Sequence, residues 1–177
     1  MPIPCNTTTV LFSAFAALAL VLPPAHAAGD ERTHGASPLS AGGLQAKLFL
    51  TADEKALVRI WETSPTPPRL PVTERVRLGT SASTVIVFKG CETDATGRCD
   101  VGVDFAVTGP DGKAQNAGSA SLWTRAPLGQ KFMLGEASAT LKFNGEEDLG
   151  AYTVRARLVD RVAGRQLELS APLSVAR

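Results

Sequence analysis

The sequence predicts a mainly β protein, in which a short N-terminal helix precedes a sandwich of two sheets. From residue 72 onward, apolar residues recur at every second position, which is the spacing of strands with one buried face. Turn-forming groups such as Gly109–Gly112 and Ala163–Gly164 separate these stretches at intervals of about 8 to 15 residues, as in all-β sandwiches. Residues 72–177 thus supply about seven short strands, enough to enclose a core.

The first 27 residues have the pattern of a signal peptide. An apolar run of 13 residues, Val10–Leu22, precedes Ala25-His26-Ala27, which matches a small-x-small cleavage site. The run is shorter than the about 20 apolar residues of a membrane span. Residues 1–9 contain no Lys or Arg, unlike most signal peptides, so a retained N-terminal anchor is the alternative. We expect a periplasmic or secreted protein that starts near Ala28 and has no membrane span after cleavage.

The chain is predicted to have four parts. They are the signal peptide (1–27), a flexible lead-in (28–43), a segment with a short strand, a helix and a Pro-rich connector (44–71), and the sandwich (72–177). In the third part, Thr51 and Glu54 have the spacing of a capping box, and Leu57, Ile60 and Trp61 follow at helical intervals. This pattern predicts a helix over about residues 52–62.

Residues 85–88, Val-Ile-Val-Phe, are apolar on both faces of a predicted strand. Because a sandwich strand normally has one solvated face, the second face needs cover. We expect the N-terminal helix to lie across Ile86 and Phe88 through Leu57 and Trp61. An exposed apolar patch for a binding partner is the alternative.

The C-terminal residues predict a β-hairpin. Apolar and polar residues alternate over 152–158 and again over 167–175. A turn centred on Ala163–Gly164 places apolar residues of both strands on the same face, because side chains alternate with a period of two. The core pairs expected from this turn are Leu158 with Leu169, and Val154 with Leu173.

Cys91 and Cys99 are the cysteines that remain once the leader, with Cys5, is removed. Disulfides persist in the oxidising compartments that exported proteins enter. Between the two cysteines, Asp94 and Gly97 supply turn chemistry that allows the chain to reverse. We therefore predict a structural disulfide between Cys91 and Cys99.

Three other interpretations of this loop fit less well. Zinc needs four ligands, and His34 is the only further Cys or His of the mature chain. A thioredoxin-like redox pair has the spacing C-x-x-C. Glu92, Asp94 and Thr96 resemble the opening of a calcium loop, but the bidentate Glu expected at position 12 is replaced by Val103. We expect no metal and no cofactor.

Residues 148–154, DLGAYTV, resemble the tyrosine corner of immunoglobulin-like sandwiches. The resemblance assigns a structural role to Asp148, Gly150 and Tyr152, although Val154 stands where antibody-type domains have Cys. The chain also resembles a family of exported bacterial immunoglobulin-like β-sandwich proteins, on the stretches 87–105, 109–112, 134–143 and 148–169. This resemblance covers about residues 48–176. It implies a fold and a compartment, and it implies no activity.

The composition argues against several classes of function. The 18 Lys and Arg and 17 Asp and Glu give a net charge of +1 without a basic stripe, so nucleic-acid binding is not expected. His26 leaves with the leader and His34 precedes the fold, so a Ser or Cys nucleophile has no credible base. The acidic cluster Glu146–Asp148 is expected to be a solvated turn. We therefore do not expect this protein to be an enzyme.

Binding is the function that the residues favour. Tryptophan is enriched at binding hot spots, and Trp61 and Trp123 are the two in the chain. Arg125 accompanies Trp123 ahead of a Pro-Leu-Gly loop, so this segment is the better candidate. The prediction is a non-catalytic module of the cell envelope that binds a protein partner or has a structural role. The alternative is an inhibitor, or a carbohydrate- or small-ligand-binding module that uses the sandwich loops.

Overall fold

The computed structural model describes residues 38–64, 68–145 and 147–177. The predicted signal peptide and most of the predicted lead-in lie outside these residues. The elements are β1 (Leu39–Ala41), β2 (Leu44–Thr51), α1 (Glu54–Thr63), β3 (Arg75–Arg77), β4 (Ser81–Lys89), β5 (Val101–Thr108), β6 (Ala114–Trp123), β7 (Met133–Leu134), β8 (Thr140–Lys142), β9 (Gly150–Asp160) and β10 (Arg165–Ala176). No helix within these ranges has the length and apolarity of a membrane span.

The strands form two sheets that enclose one apolar core. The first sheet has the order β1-β2-β4-β7, and β8 also pairs with β4; the second has the order β3-β10-β9-β5-β6. The run β10-β9-β5-β6 has the immunoglobulin order G-F-C-C′, in which β4 takes the position of strand B. Side chains from both sheets meet between them, among them Leu48, Phe88, Val103, Leu158 and Leu173. The predicted immunoglobulin-like β-sandwich with a short N-terminal helix is confirmed.

A tyrosine corner connects the two sheets before β9. The Tyr152 hydroxyl donates a hydrogen bond to the Asp148 carbonyl oxygen at 2.7 Å. Between them, Gly150 has a φ of 139°, a backbone conformation that residues with a Cβ rarely adopt. The Tyr152 ring packs edge-on against Phe143 with a centroid separation of 5.5 Å. The hydrogen bond and the ring contact fix the path of the chain as it enters β9.

The C-terminal hairpin forms with a register two residues away from the predicted one. Leu158 pairs with Leu167, and Leu173 pairs with Tyr152, around a turn at residues 161–164. A shift of two residues leaves every side chain on its own face, so alternation alone does not distinguish the two registers. The turn decides between them, because the Asp160 carboxylate accepts a hydrogen bond from the Ala163 N–H and Gly164 takes a positive φ of 67°.

The strand and helix predicted in residues 44–62 are present as β2 and α1, but the helix cap differs. Asp53 is the N-cap, and its carboxylate accepts a hydrogen bond from the Ala56 N–H at 2.8 Å. The expected cap, Thr51, instead donates to the Pro71 carbonyl oxygen at 2.7 Å, and Glu54 accepts from Ser138. Both side chains thus tie the helix region to other segments.

The expectation that α1 covers Ile86 and Phe88 is wrong. Both side chains are fully buried in the core between the sheets. The alternate residues Val85 and Val87 point to the opposite face and are also buried, as is Leu57 of α1. These three buried side chains lie outside the sandwich core cluster. We infer that α1 covers the outer face of the first sheet over the two valines.

The last residues of the predicted flexible lead-in belong to the first sheet. Strand β1 pairs antiparallel with β2, so that Leu39 lies opposite Ala46 and Ala41 opposite Leu44. Gly42 and Gly43 form the tight turn between them, both with positive φ. The sheet therefore begins before residue 44, which composition alone did not indicate.

Candidate functional site

Three connections meet at one end of the sandwich. They are the β4–β5 loop (residues 90–100), the β6–β7 connection (residues 124–132) and the β9–β10 turn (residues 161–164). Their strands are adjacent there, because Val101 at the start of β5 pairs with Trp123 on one side and Asp160 on the other. We call these three segments together the disulfide end.

The Cys91–Cys99 disulfide closes the β4–β5 loop, as predicted. The two Cα atoms are 5.9 Å apart, which is within the usual range for bridged cysteines. Cys99 is buried against the sandwich core, while residues 92–98 are all exposed. The bridge therefore anchors an exposed loop to the core.

The exposed loop is ordered by Asp94. One carboxylate oxygen accepts hydrogen bonds from the Thr96 N–H, the Thr96 hydroxyl and the Arg98 N–H, at 2.6 to 3.0 Å. The Thr96 hydroxyl bond, followed by the backbone bonds from Arg98 and Thr96, lowers the pKa of this carboxyl. Asp94, which the sequence placed in a possible calcium pattern, thus closes its own turn.

Hydrogen bonds join the loop to the two other connections. The Arg98 guanidinium donates twice to the Thr124 carbonyl oxygen, at 2.9 and 2.7 Å, and the Cys99 N–H donates to the Arg125 carbonyl oxygen at 3.0 Å. Asp160 is fully buried, and its carboxylate accepts from the Glu92 N–H at 2.9 Å and the Ala163 N–H at 3.2 Å. The three connections are therefore held to one another by groups that were not evident from the sequence.

Replacing both Cys91 and Cys99 with serine is expected to lower the free energy of unfolding by about 2.5 kcal/mol, because the closed nine-residue ring restricts the unfolded chain. Guanidinium denaturation of the variant and the parent chain measures this loss. In the native parent chain, Cys91 and Cys99 should also resist alkylation, and the chain should be two hydrogen atoms lighter than its reduced form. Complete alkylation of the native protein would contradict the disulfide.

The sequence left open whether Trp123 lies in the core or on the surface, and the structure places it in the core. Its side chain is 5% exposed, packs edge-on against Phe88 with a centroid separation of 6.0 Å, and donates through Nε1 to the Arg125 carbonyl oxygen at 3.0 Å. The exposed Arg125 guanidinium lies 4.4 Å from the ring centroid and forms an ion pair with Glu136. Arg125 is thus the accessible member of the predicted pair.

Leu128 is the most exposed large apolar side chain in the described part of the protein, at 63%. It lies in the same connection as Arg125, and its N–H donates to the Met133 sulfur at 3.2 Å. In the neighbouring turn, Val162 is 36% exposed. The sequence indicated a Pro-Leu-Gly loop that contains Leu128, but only the structure showed that this side chain is exposed.

Trp61 does not belong to the disulfide end. It is half-buried on α1, which follows β2 at Thr51. The start of β2 is the part near the disulfide end, because Gln45 pairs with Lys89 at the end of β4. The three predicted partner-binding residues therefore divide into Arg125 on the disulfide end, Trp123 beneath it and Trp61 on the helix. Among the residues with assigned structure, no three His, Cys, Asp or Glu side chains are grouped to hold a metal ion.

Comparisons with known proteins give structural similarities at low sequence identity. No family model and no curated protein matches the chain. A CARDB domain from Pyrococcus furiosus, solved with two metal ions, has a TM-score of 0.41 and 10% identity over 78% of this chain and 98% of that domain. An immunoglobulin-like protein from Pseudomonas aeruginosa has a TM-score of 0.30 and 14% identity over 79% of this chain and 97% of that protein.

Larger proteins also contain a similar region. An alkylpurine DNA glycosylase from Pseudomonas fluorescens has a TM-score of 0.41 and 14% identity over 76% of this chain, which spans 31% of the glycosylase. A family 123 glycoside hydrolase from Clostridium perfringens gives 0.42 and 9% over 76% of this chain, which spans 27% of the hydrolase. Because all these TM-scores lie below 0.5, the fold assignment rests on the strand order of this chain itself.

Proposed function

We propose that this chain is a non-catalytic, exported module that binds a protein partner in the cell envelope through the disulfide end. The observation that carries the proposal is that hydrogen bonds join the three connections, one of which carries both the exposed Leu128 and Arg125. Binding sites that are ordered before the partner arrives lose less conformational entropy on association. Leu128 is exposed and lies outside the core cluster, so its side chain is accessible to a partner.

The composition of this surface supports a protein partner. Arg125 is held over the Trp123 ring and paired with Glu136, so its guanidinium is oriented before binding. Arginine is enriched at protein interfaces and at their hot spots. The disulfide supports an oxidising compartment, as expected for an exported protein.

Catalysis is not part of the proposal because the described residues contain no histidine and the carboxylates around the disulfide end have structural partners. Both histidines of the chain, His26 and His34, precede the residues that the structure describes. The carboxylates of the disulfide end are engaged, because Asp94 closes its turn and Asp100 and Glu92 form ion pairs with Arg161 and Arg165. Next to it, Asp160 accepts two backbone hydrogen bonds and Glu136 pairs with Arg125. These carboxylates therefore hold the loops of the surface in place.

The Leu128→Asp variant is expected to lose partner capture. Removing a central apolar anchor costs about 2 kcal/mol, which is roughly a 30-fold loss of affinity. The measurement is crosslinking in living cells with a C-terminal tag, followed by identification of near-stoichiometric partners. Leu149→Asp is the matched control, because Leu149 is 41% exposed at the opposite end of β9 and should leave capture unchanged. Equal capture by Leu128→Asp and the parent chain would refute binding at the disulfide end.

A further inference from the structure

A second surface lies at the other end of the sandwich, beside the tyrosine corner. It is a cleft of about 530 Å³ between the two sheets. Val107 and Ala117 of the second sheet form one wall, and Leu141 and Phe143 of the first sheet form the other. Tyr152 lies at its end. The cleft is therefore an opening into the side of the sandwich, lined in part by residues of the core cluster.

The cleft runs along the edge of the first sheet. Strand β8 pairs with β4 on one side, through Leu141 opposite Ala82, and no described segment pairs with its other side. Because β8 pairs with β4, it has the position of strand E, next to which strand D continues the sheet in constant-type immunoglobulin domains. The backbone groups on the outer side of β8 can therefore pair with an added strand, as in β-augmentation.

Facing it across the cleft, strand β6 is the edge of the second sheet. Ala114–Trp123 contains no charged residue and no proline, two of the usual protections of an exposed edge, although its pairing with β5 is irregular at two points. The other edge of that sheet, β3, has three residues, of which two are arginines. At the end of β6, the Glu136 N–H donates to the Leu122 carbonyl oxygen, and this is the one backbone hydrogen bond that the described residues make to the outer side of β6.

The rim of the cleft carries more acidic than basic side chains, so it favours a cationic occupant. Asp111, Glu147 and Asp148 line it together with Lys142, and Lys113 forms an ion pair with Asp111 at 3.0 Å. The Asp148 carboxylate has no ion-pair partner among the described residues. Burial raises the pKa of the Tyr152 phenol, and these three carboxylates raise it further, so their negative potential extends to the end of the cleft.

We propose that the outer edge of β8 binds an extended segment of a partner polypeptide, with an apolar side chain in the cleft and a Lys or Arg at the acidic rim. A strand added next to β8 alternates its side chains, so every second one points between the sheets toward Val107 and Ala117. Its backbone continues the first sheet, and its basic side chain lies against Asp148. This site is separate from the disulfide end and does not depend on the function proposed there.

The test uses capped peptides of alternating valine and threonine, flanked by lysine at both ends, with glutamate-flanked peptides as the counterpart. NMR titration of the ¹⁵N-labelled protein should show amide shifts at residues 140–143 and 115–117 with the lysine peptide. Asp148→Lys should weaken this binding about fivefold or more, because one attraction is replaced by repulsion. Glu168→Lys, on the outer face of the second sheet, is the control and should leave the affinity unchanged.

Strand addition is tested separately by the peptide backbone. A lysine-flanked peptide with a central proline cannot donate at that position and should bind more weakly than the parent peptide. The absence of shifts at residues 140–143 at millimolar lysine peptide would overturn the proposal. Equal binding of the glutamate and lysine peptides would overturn it as well.

Discussion

Replacing Gly90 with alanine is expected to lower the free energy of unfolding by about 3 kcal/mol, from positive-φ strain combined with a steric overlap. Gly90 follows β4 with a φ of 77°. A Cβ at this position would overlap the carbonyl oxygen of Gly43 in the turn before β2. The overlap is between the new Cβ and a backbone carbonyl, so a change of rotamer cannot relieve it. The paired ends of β2 and β4 must therefore separate. Denaturant unfolding of the variant and the parent chain measures the loss.

Gly97→Ala is the matched control for this effect. Gly97 has nearly the same φ, 78°, but a Cβ there meets no atom within 4 Å. Its substitution should cost only the conformational strain, about 1 kcal/mol. Similar losses for the two variants would show that the close approach of Gly90 to Gly43 does not constrain the fold.

The Trp123→Ala variant is expected to lose about 3 to 5 kcal/mol of stability, because it leaves a cavity in a core that packs at close to crystal density. Trp123 is 5% exposed and contacts Phe88, whose side chain is fully buried. Its removal also leaves the Arg125 guanidinium without the ring that it covers. The loss is measured by chemical denaturation followed by circular dichroism, which does not depend on the indole signal.

Trp61→Ala provides the comparison, because Trp61 is half-buried on α1. Its substitution should cost less than about 2 kcal/mol, in proportion to the smaller apolar area that it removes from water. If Trp123→Ala were as mild as Trp61→Ala, the indole of Trp123 would not be a core group. Because Trp123→Ala also destabilises the fold, a loss of partner capture by this variant would combine unfolding with the loss of a contact. Leu128→Asp is therefore the cleaner test of the disulfide end.

The candidate site was predictable only in part, for reasons that particular residues show. Two cysteines flanking a turn, in a chain whose sequence predicts export, predict a disulfide from chemistry alone, and Cys91–Cys99 confirms it. That Asp160 is buried and holds two loops depends on the neighbours of β9 in the sheet. Arg98 likewise contacts Thr124, which is 26 residues away in the sequence. No local pattern encodes such contacts.

By itself, the sequence determined the period-two strands, the helix, the turns and the disulfide, because each depends on chemistry within a few residues. The three-dimensional structure showed the register of the hairpin, which the turn at Asp160 fixes, since turns differing by two residues leave alternation unchanged. It also decided which face of β4 the helix covers: Val85 and Ile86 are equally apolar, and only the position of the second sheet makes one of them a core residue. The burial of Trp123 was also decided by tertiary structure, because the burial of a side chain depends on the strands that pack against it.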